Sequence, residues 1–186
     1  MKSRKPITES LAGSLLLAHP GLKDPNFRRA VVLLSAHDEE GAMGVVLNRS
    51  SGKTLAQLDE GFRGGLLADV PVFDGGPVQP DRLLICGLQM HPDGEGFRLH
   101  FGLEPAAAES LVLTDEDVTL RAFMGYSGWG AGQLEHELEH GTWAVSPIPA
   151  DMMIYAQDDA LWRGLLSLIS HEWKLLAEEP DDPSVN

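Results

Sequence analysis

A single cysteine, Cys86, occurs in the 186 residues. No intrachain disulfide can form, and a metal site built from cysteines alone is excluded. Basic charge is also scarce: 14 Lys and Arg stand against 28 Asp and Glu, giving a formal net charge of −14. A nucleic-acid binder needs a cationic face that displaces counterions from a polyanion. The local basic excess here is confined to Lys2, Arg4 and Lys5 and to the pair Arg28 and Arg29, so no direct nucleic-acid partner is expected. The same acidity disfavours anionic membrane surfaces. Long apolar runs are missing too, with no stretch near the ~20 residues that span a bilayer. Lys2, Arg4 and Lys5 ahead of the apolar run Leu11 to Ala18 imitate a secretory signal. The polar Thr8-Glu9-Ser10 interrupts it, the run is short, and His19-Pro20 is a poor cleavage context. The expected location is the cytoplasm, with no membrane partner.

Hydrophobic residues make up 43% of the chain and charged residues 23%, a balance that supports a folded core and argues against disorder. The length suits one domain. It is placed at 11–177, between an N-terminal tail (1–10) and an acidic C-terminal tail (178–186). Leu11 to Ala18 reads as a strand ended by the turn His19-Pro20-Gly21. Ala30 to Ser35 is a continuous aliphatic run, as expected of a strand buried on both faces, and Met43 to Asn48 reads as its antiparallel partner across Asp38-Glu-Glu-Gly41. Thr54 can cap a short helix. Val70 to Phe73 reads as an edge or first-residue strand because of Pro71, with further strands at Arg82 to Gly87 and Gly96 to Phe101. A weaker helix is expected at Glu104 to Leu113. Leu120 to Met124 reads as a strand running into a glycine-rich loop, Gly125 to Gly130, that opens onto a helix at Gln133 to His140. Trp143 to Ser146 is the last strand. One amphipathic helix is expected over Asp158 to Leu176, with Leu161, Leu165, Leu168 and Ile169 on its apolar face. Strands do not alternate with long helices, so the fold class is α+β with a strongly bent, largely antiparallel sheet.

Four stretches together resemble the AlgH/YqgE-like family: Ala18-His-Pro-Gly-Leu-Lys-Asp-Pro-Asn-Phe-Arg-Arg-Ala-Val-Val-Leu-Leu34, Gly41-Ala-Met-Gly-Val-Val-Leu-Asn-Arg49, Val72-Phe-Asp-Gly-Gly-Pro-Val-Gln-Pro-Asp-Arg-Leu-Leu84, and Arg121-Ala-Phe-Met-Gly-Tyr-Ser-Gly-Trp-Gly-Ala-Gly-Gln-Leu-Glu135 with Trp143 after it. Their order and spacing match over about residues 11 to 170. The resemblance implies a bifurcated mixed sheet wrapped into a pseudo-barrel and flanked by helices. It implies no activity, because the family brings no catalytic or ligand residues to carry over. Some members are named as transcriptional regulators, and the acidity here points to an indirect role. One departure is Ser50, where the family often has proline after the Asn-Arg pair.

Three motifs invite a chemical reading. His136-Glu-Leu-Glu-His140 satisfies H-E-x-x-H, in which two histidines one turn apart hold zinc and the glutamate activates a bound water. Against it, Leu134, Leu138 and Gly141 share one side of the helix, which leaves His136 and His140 on the solvated side. The third-ligand candidates are Asp158, Asp159 and Glu172. Gly125-Tyr-Ser-Gly-Trp129 approaches a nucleophile elbow, but Trp129 stands where G-x-S-x-G needs glycine. Related sequences resemble Gly-Tyr-Ala-Gly-Trp at this point, and the loop holds no Lys or Arg to grip a phosphate. Asp74-Gly-Gly-Pro77 reads as turn chemistry. The alternative is that Asn48, Arg49, Asp74, Gly75, Gly76, Tyr126, Gly128 and Trp129 line one binding surface. Cys86 is expected to be buried and inert. Trp162, Trp173 and Met152-Met153 are expected in the core.

The function expected is therefore a non-catalytic regulatory or interaction protein with a protein or small-molecule partner and no cofactor. The alternatives are a small-molecule or peptide binder using the glycine-rich surface, and a zinc-dependent hydrolase using His136 and His140.

Overall fold

A computed structural model describes residues 9–91, 97–149 and 158–178. The expected tails and Met152-Met153 lie largely or wholly outside them. The strands are β1 (Leu15–Ala18), β2 (Val31–Asp38), β3 (Gly41–Val46), β4 (Ser50–Thr54), β5 (Pro71–Asp74), β6 (Val78–Met90), β7 (Phe97–Leu103), β8 (Val118–Gly130) and β9 (Trp143–Ser146). The helices are α1 (Leu55–Leu58), α2 (Pro105–Thr114), α3 (Gln133–Glu139), α4 (Asp159–Ile169) and α5 (His171–Glu178). Among the described residues the nine strands form one mixed sheet in the order β4-β5-β8-β3-β2-β1-β9, with β6 also on β8 and β7 on β6. Every pairing is antiparallel except β5 with β8. The sheet forks at β8, where Ala122–Met124 pair with β5 and Ser127–Gly130 pair with β3. This is the α+β, bifurcated and curled sheet that the sequence led us to expect.

The apolar runs behave as a doubly buried strand should, because alternate side chains feed opposite faces. Leu15, Leu17, Val31, Leu33, Val45 and Leu47 point into one core, which α4 and α5 close with Leu161, Trp162, Leu165, Leu166 and Ala177. Leu16, Ala18, Val32, Leu34 and Val46 point into another, closed by Leu134 of α3 with Trp129 and Trp143. A third core lies under α1 and α2, around Leu55, Val72, Ile85, Ala108 and Ala122.

Three local readings differ from the structure. Gly125 to Gly130 is the second half of strand β8 and no loop: Tyr126 pairs with Val78, Ser127 with Gly44 and Trp129 with Ala42. Glycines erase the alternation that would reveal a strand, yet here they allow close approach. A Cβ on Gly125, whose φ is +70°, would lie 2.5 Å from the Gly76 carbonyl oxygen. The helix expected over Asp158 to Leu176 breaks at Ser170, which adopts extended backbone (φ −150°, ψ 124°) between α4 and α5. Leu161 and Leu165 of its expected apolar face are buried, whereas Leu168 is 76% exposed and Ile169 faces solvent as well. Strand β4 carries no apolar alternation and was not expected; Ser50 begins it.

Candidate functional site

The motifs meet at the fork of the sheet, and they meet through the main chain. Asp74 N–H donates to the Arg49 carbonyl (2.8 Å), Gly75 N–H to the Met124 carbonyl (2.9 Å), and Val46 N–H to the Gly75 carbonyl (2.9 Å). Gly75 and Gly76 are required by proximity, since a Cβ on either would lie 2.3 Å from a carbonyl oxygen of β8. Ser127 is fully buried and its hydroxyl donates to the Gly75 carbonyl (3.1 Å). That geometry makes it a tie between motifs, its hydroxyl engaged with a main-chain carbonyl.

Of the eight residues of the expected surface, Asn48, Gly75 and Trp129 are buried, whereas Arg49, Asp74, Gly76, Tyr126 and Gly128 reach solvent at least in part. Trp129 faces the core closed by α3. Its indole N–H donates to Glu137 Oε2 (2.9 Å), and the Trp143 indole N–H donates to the same oxygen (2.7 Å). The two rings stand edge to face, 5.9 Å apart.

Asn48 and Arg49 both reach toward the turn that leads into β2. The Asn48 carboxamide oxygen accepts from Val31 N–H (2.8 Å), and its nitrogen donates to the carbonyls of Arg29 (2.8 Å) and Asp158 (3.1 Å). Arg49 donates to the carbonyls of Pro25 (3.1 Å), Asn26 and Arg28 (2.9 Å). Burial pulls the Arg49 guanidinium below its usual pKa, while Asp74, Asp159 and Asp24 act in the opposite sense. Together these bonds shape the turn over residues 25–31, including Arg29 at φ +55°, a left-handed conformation rare for a side chain of that size.

That turn forms one wall of a cavity of about 230 Å³, which α4 and α5 complete. His19, Lys23, Arg28 and Arg29 line it, and Leu22, Trp162, Leu176 and Ala177 are among its apolar lining. Arg29 is ion-paired to Asp159 (2.6 Å) and lies 5.9 Å from the centre of the Trp162 ring. His19 Nδ1 accepts from Gly21 N–H (2.9 Å), and its ring meets Trp173 edge-on at 4.8 Å. Sequence reasoning missed this site, because its residues come from two segments more than a hundred positions apart. The adjacent pair Arg28 and Arg29 was the available signal.

His136 and His140 lie on the exposed side of α3, as their spacing indicated, with ring centres 4.2 Å apart. His140 Nδ1 is turned to the His136 carbonyl (2.7 Å). Among the described residues no group of three or more His, Cys, Asp or Glu is arranged to hold a metal ion. Asp159, one of the third-ligand candidates, is engaged with Arg29. Cys86 is buried, and burial pushes its thiol up from 9.0 to about 11. None of the helices described is long and apolar enough to cross a membrane.

Comparison with known proteins agrees with this architecture. A family model described as AlgH-like matches residues 15–174. A UPF0301 protein of Streptomyces avermitilis is 42% identical, covering 95% of this chain and 96% of its own. Another from Parabacteroides distasonis is 34% identical, covering 95% and 91%. Among solved structures, the AlgH protein of Pseudomonas aeruginosa is similar with a TM-score of 0.61 at 28% identity, over 98% of this chain and all of that one. Protein DIP2367 of Corynebacterium diphtheriae shares the fold, with a TM-score of 0.69 at 20% identity over 94% of this chain and 95% of its own. None of these names carries a reaction, a substrate or a ligand. The motif order, the forked sheet and the match over nearly the whole chain establish that this protein belongs to the AlgH-like family.

Proposed function

We propose that this chain is a non-catalytic binding protein of the cytoplasm, acting through a small-molecule or protein partner, and that any effect on transcription is indirect. One observation carries this reading: the polar atoms of Asn48 and Arg49 hold the turn at residues 25–31 in a strained shape around a cavity. Strain of that kind persists only where surrounding structure enforces it, and it marks sites where shape matters. The groups that resemble a reaction centre are engaged otherwise, Ser127 with a main-chain carbonyl and His140 with the carbonyl of its own helix. The acidity of the chain argues against direct operator binding. The exposed rim of the glycine-rich junction, Arg49, Asp74, Gly76, Tyr126 and Gly128, is the complementary surface for a protein partner. The test is a thermal-shift screen of the full chain against cytosolic metabolites, run beside hydrolase and nuclease turnover panels. Stabilising ligands without turnover are expected. Reproducible turnover abolished by one substitution overturns the proposal.

A further inference from the structure

We infer that His37 is a proton-operated latch: a second proton on its ring frees the Leu11 amide and loosens residues 9–13 from β2. The hydrogen bonds fix the starting state. Leu11 N–H donates to His37 Nδ1 (2.9 Å), so that nitrogen offers a lone pair and carries no proton. The one proton of the neutral ring is therefore on Nε2, which donates to Glu135 Oε1 (2.9 Å). His37 thus joins the N-terminal segment to α3 in a single tautomer, with both ring nitrogens occupied.

Acid makes this arrangement impossible. A protonated imidazole is a donor at both nitrogens, which sets one N–H against the Leu11 N–H across 2.9 Å. One of the two groups has to move, and burial decides which. The His37 side chain is 2% exposed, and Glu135 holds its far nitrogen. A carboxylate grips a charged ring more strongly than a neutral one, so that bond tightens on protonation. On the other side Glu9, Ser10, Ala12 and Gly13 are exposed, and Leu11 is only half-buried, against the core closed by α3. The N-terminal segment is the part that gives way. Its other described ties to β2 run from the Ser10 hydroxyl to the His37 carbonyl (2.8 Å) and from Gly13 N–H to the Leu34 carbonyl (2.8 Å). Beyond them β1 pairs Leu15–Leu17 with Val31–Leu33, none of them ionisable, and the loosening stops there.

The charges around the ring are all negative apart from histidines. Glu135 faces it from α3, where His136, Glu139 and His140 are exposed and Glu137 is turned to the two indoles. The turn after β2 brings Asp38, Glu39 and Glu40, and the N-terminal segment brings Glu9, all exposed. Ala42, opposite His37 on β3, carries no charge. None of these elements contains a Lys or Arg that could stand in for the proton. Leu11 also follows closely on the stretch that holds Lys2, Arg4 and Lys5, so the latch acts where the main basic segment joins an acidic body.

The test uses the full-length protein, labelled with nitrogen-15, from about pH 8 to about pH 5.5, where histidines change charge and ordinary carboxylates do not. Imidazole nitrogen shifts identify the tautomer. Hydrogen exchange gives the protection factor of the Leu11 amide, corrected for the pH dependence of exchange itself. At the alkaline end a bare Nδ1 and a protonated Nε2 are expected. As His37 takes up its second proton, Leu11 protection is expected to fall at least about tenfold. The Leu47 amide, bonded to the Val31 carbonyl of the same strand (2.8 Å), should keep its own. His37→Gln supplies an uncharged acceptor and donor in the same place, and Leu11 should stay protected in it throughout. A ring proton on Nδ1 at the alkaline end overturns the latch. So does Leu11 protection that stays level while His37 titrates, or a His37 that takes up no second proton in this range. An equal loss in His37→Gln assigns the response to another histidine and also overturns it. Should that variant not fold, the tautomer and the Leu11 amide of the wild type decide the matter.

Discussion

The carboxamide of Asn48 donates to the carbonyl of Arg29 at 2.8 Å and so clamps a residue held at φ +55°. The same side chain accepts from Val31 N–H, leaving Asn48 buried and bonded on both sides. Asn48→Ala would orphan a buried donor and release the left-handed turn. A loss of about 2–3 kcal/mol is expected from the unsatisfied group and the relaxed turn. Urea unfolding monitored by circular dichroism reads this directly, and a loss below about 0.5 kcal/mol would deny Asn48 that role.

Glu137 accepts both indole N–H groups of Trp129 and Trp143 on one oxygen. Glu137→Ala leaves two largely buried donors without a partner, and a destabilisation of about 2–4 kcal/mol is expected. Tryptophan emission from the native variant should shift to the red as water reaches the indoles. An unchanged spectrum and midpoint would show that water replaces the carboxylate without cost.

Cys86 has a thiol pushed up from 9.0 to about 11 by burial. The folded state therefore holds the thiol proton more tightly than the unfolded chain does. Its stabilising contribution is complete below pH 9 and is lost as the pH rises through about 11. The wild type should lose about 2–3 kcal/mol over that window from this group, and Cys86→Ala should lack that component of the alkaline slope. At neutral pH a thiol reagent should react only with unfolded protein. Fast native labelling would contradict the burial.

Arg121 is 5% exposed, lies 4.8 Å from the centre of the Phe73 ring, and donates to the Leu47 carbonyl at 3.3 Å. Burial lowers the pKa of its guanidinium, the mark of a charge held where water is scarce. Among the described residues no carboxylate pairs with it. Arg121→Met removes the charge while keeping most of the bulk, so unchanged stability or a gain of about 1–2 kcal/mol is expected. Thermal and chemical unfolding decide this; a loss above about 2 kcal/mol would mean that the cation itself holds the sheet together.

His136 and His140 are exposed on α3, and no third described ligand joins them. After chelation and dialysis, elemental analysis should find well under one zinc per chain. His136→Ala with His140→Ala should change stability by no more than about 0.5 kcal/mol, as for other surface sites. Stoichiometric zinc that disappears in the double variant would restore the hydrolase reading.

The sheet core was legible because burial on both faces writes itself into composition. Ala30 to Ser35 and Leu11 to Ala18 are apolar without alternation, and both contain strands whose side chains divide between two cores. The exposed histidine pair was legible as well, since helical periodicity places Leu134 and Leu138 opposite His136 and His140. Gly125 to Gly130 was misread because glycine lacks the side chain that carries a period. The break at Ser170 was hidden because apolar residues continue on both sides of it, and only packing shows that Leu168 is left in solvent.

The site divides along the same line. From the chain alone came the family, the excess of acid, and the motif residues Asn48 and Arg49, all properties of local order and composition. Tertiary structure decided what those residues do. Asn48 meets Asp158, and Arg29 meets Asp159 and Trp162, across 110 to 130 positions of sequence or more. A contact between residues that far apart depends on how the sheet curls and where α4 comes to rest, and neither leaves a period in the sequence.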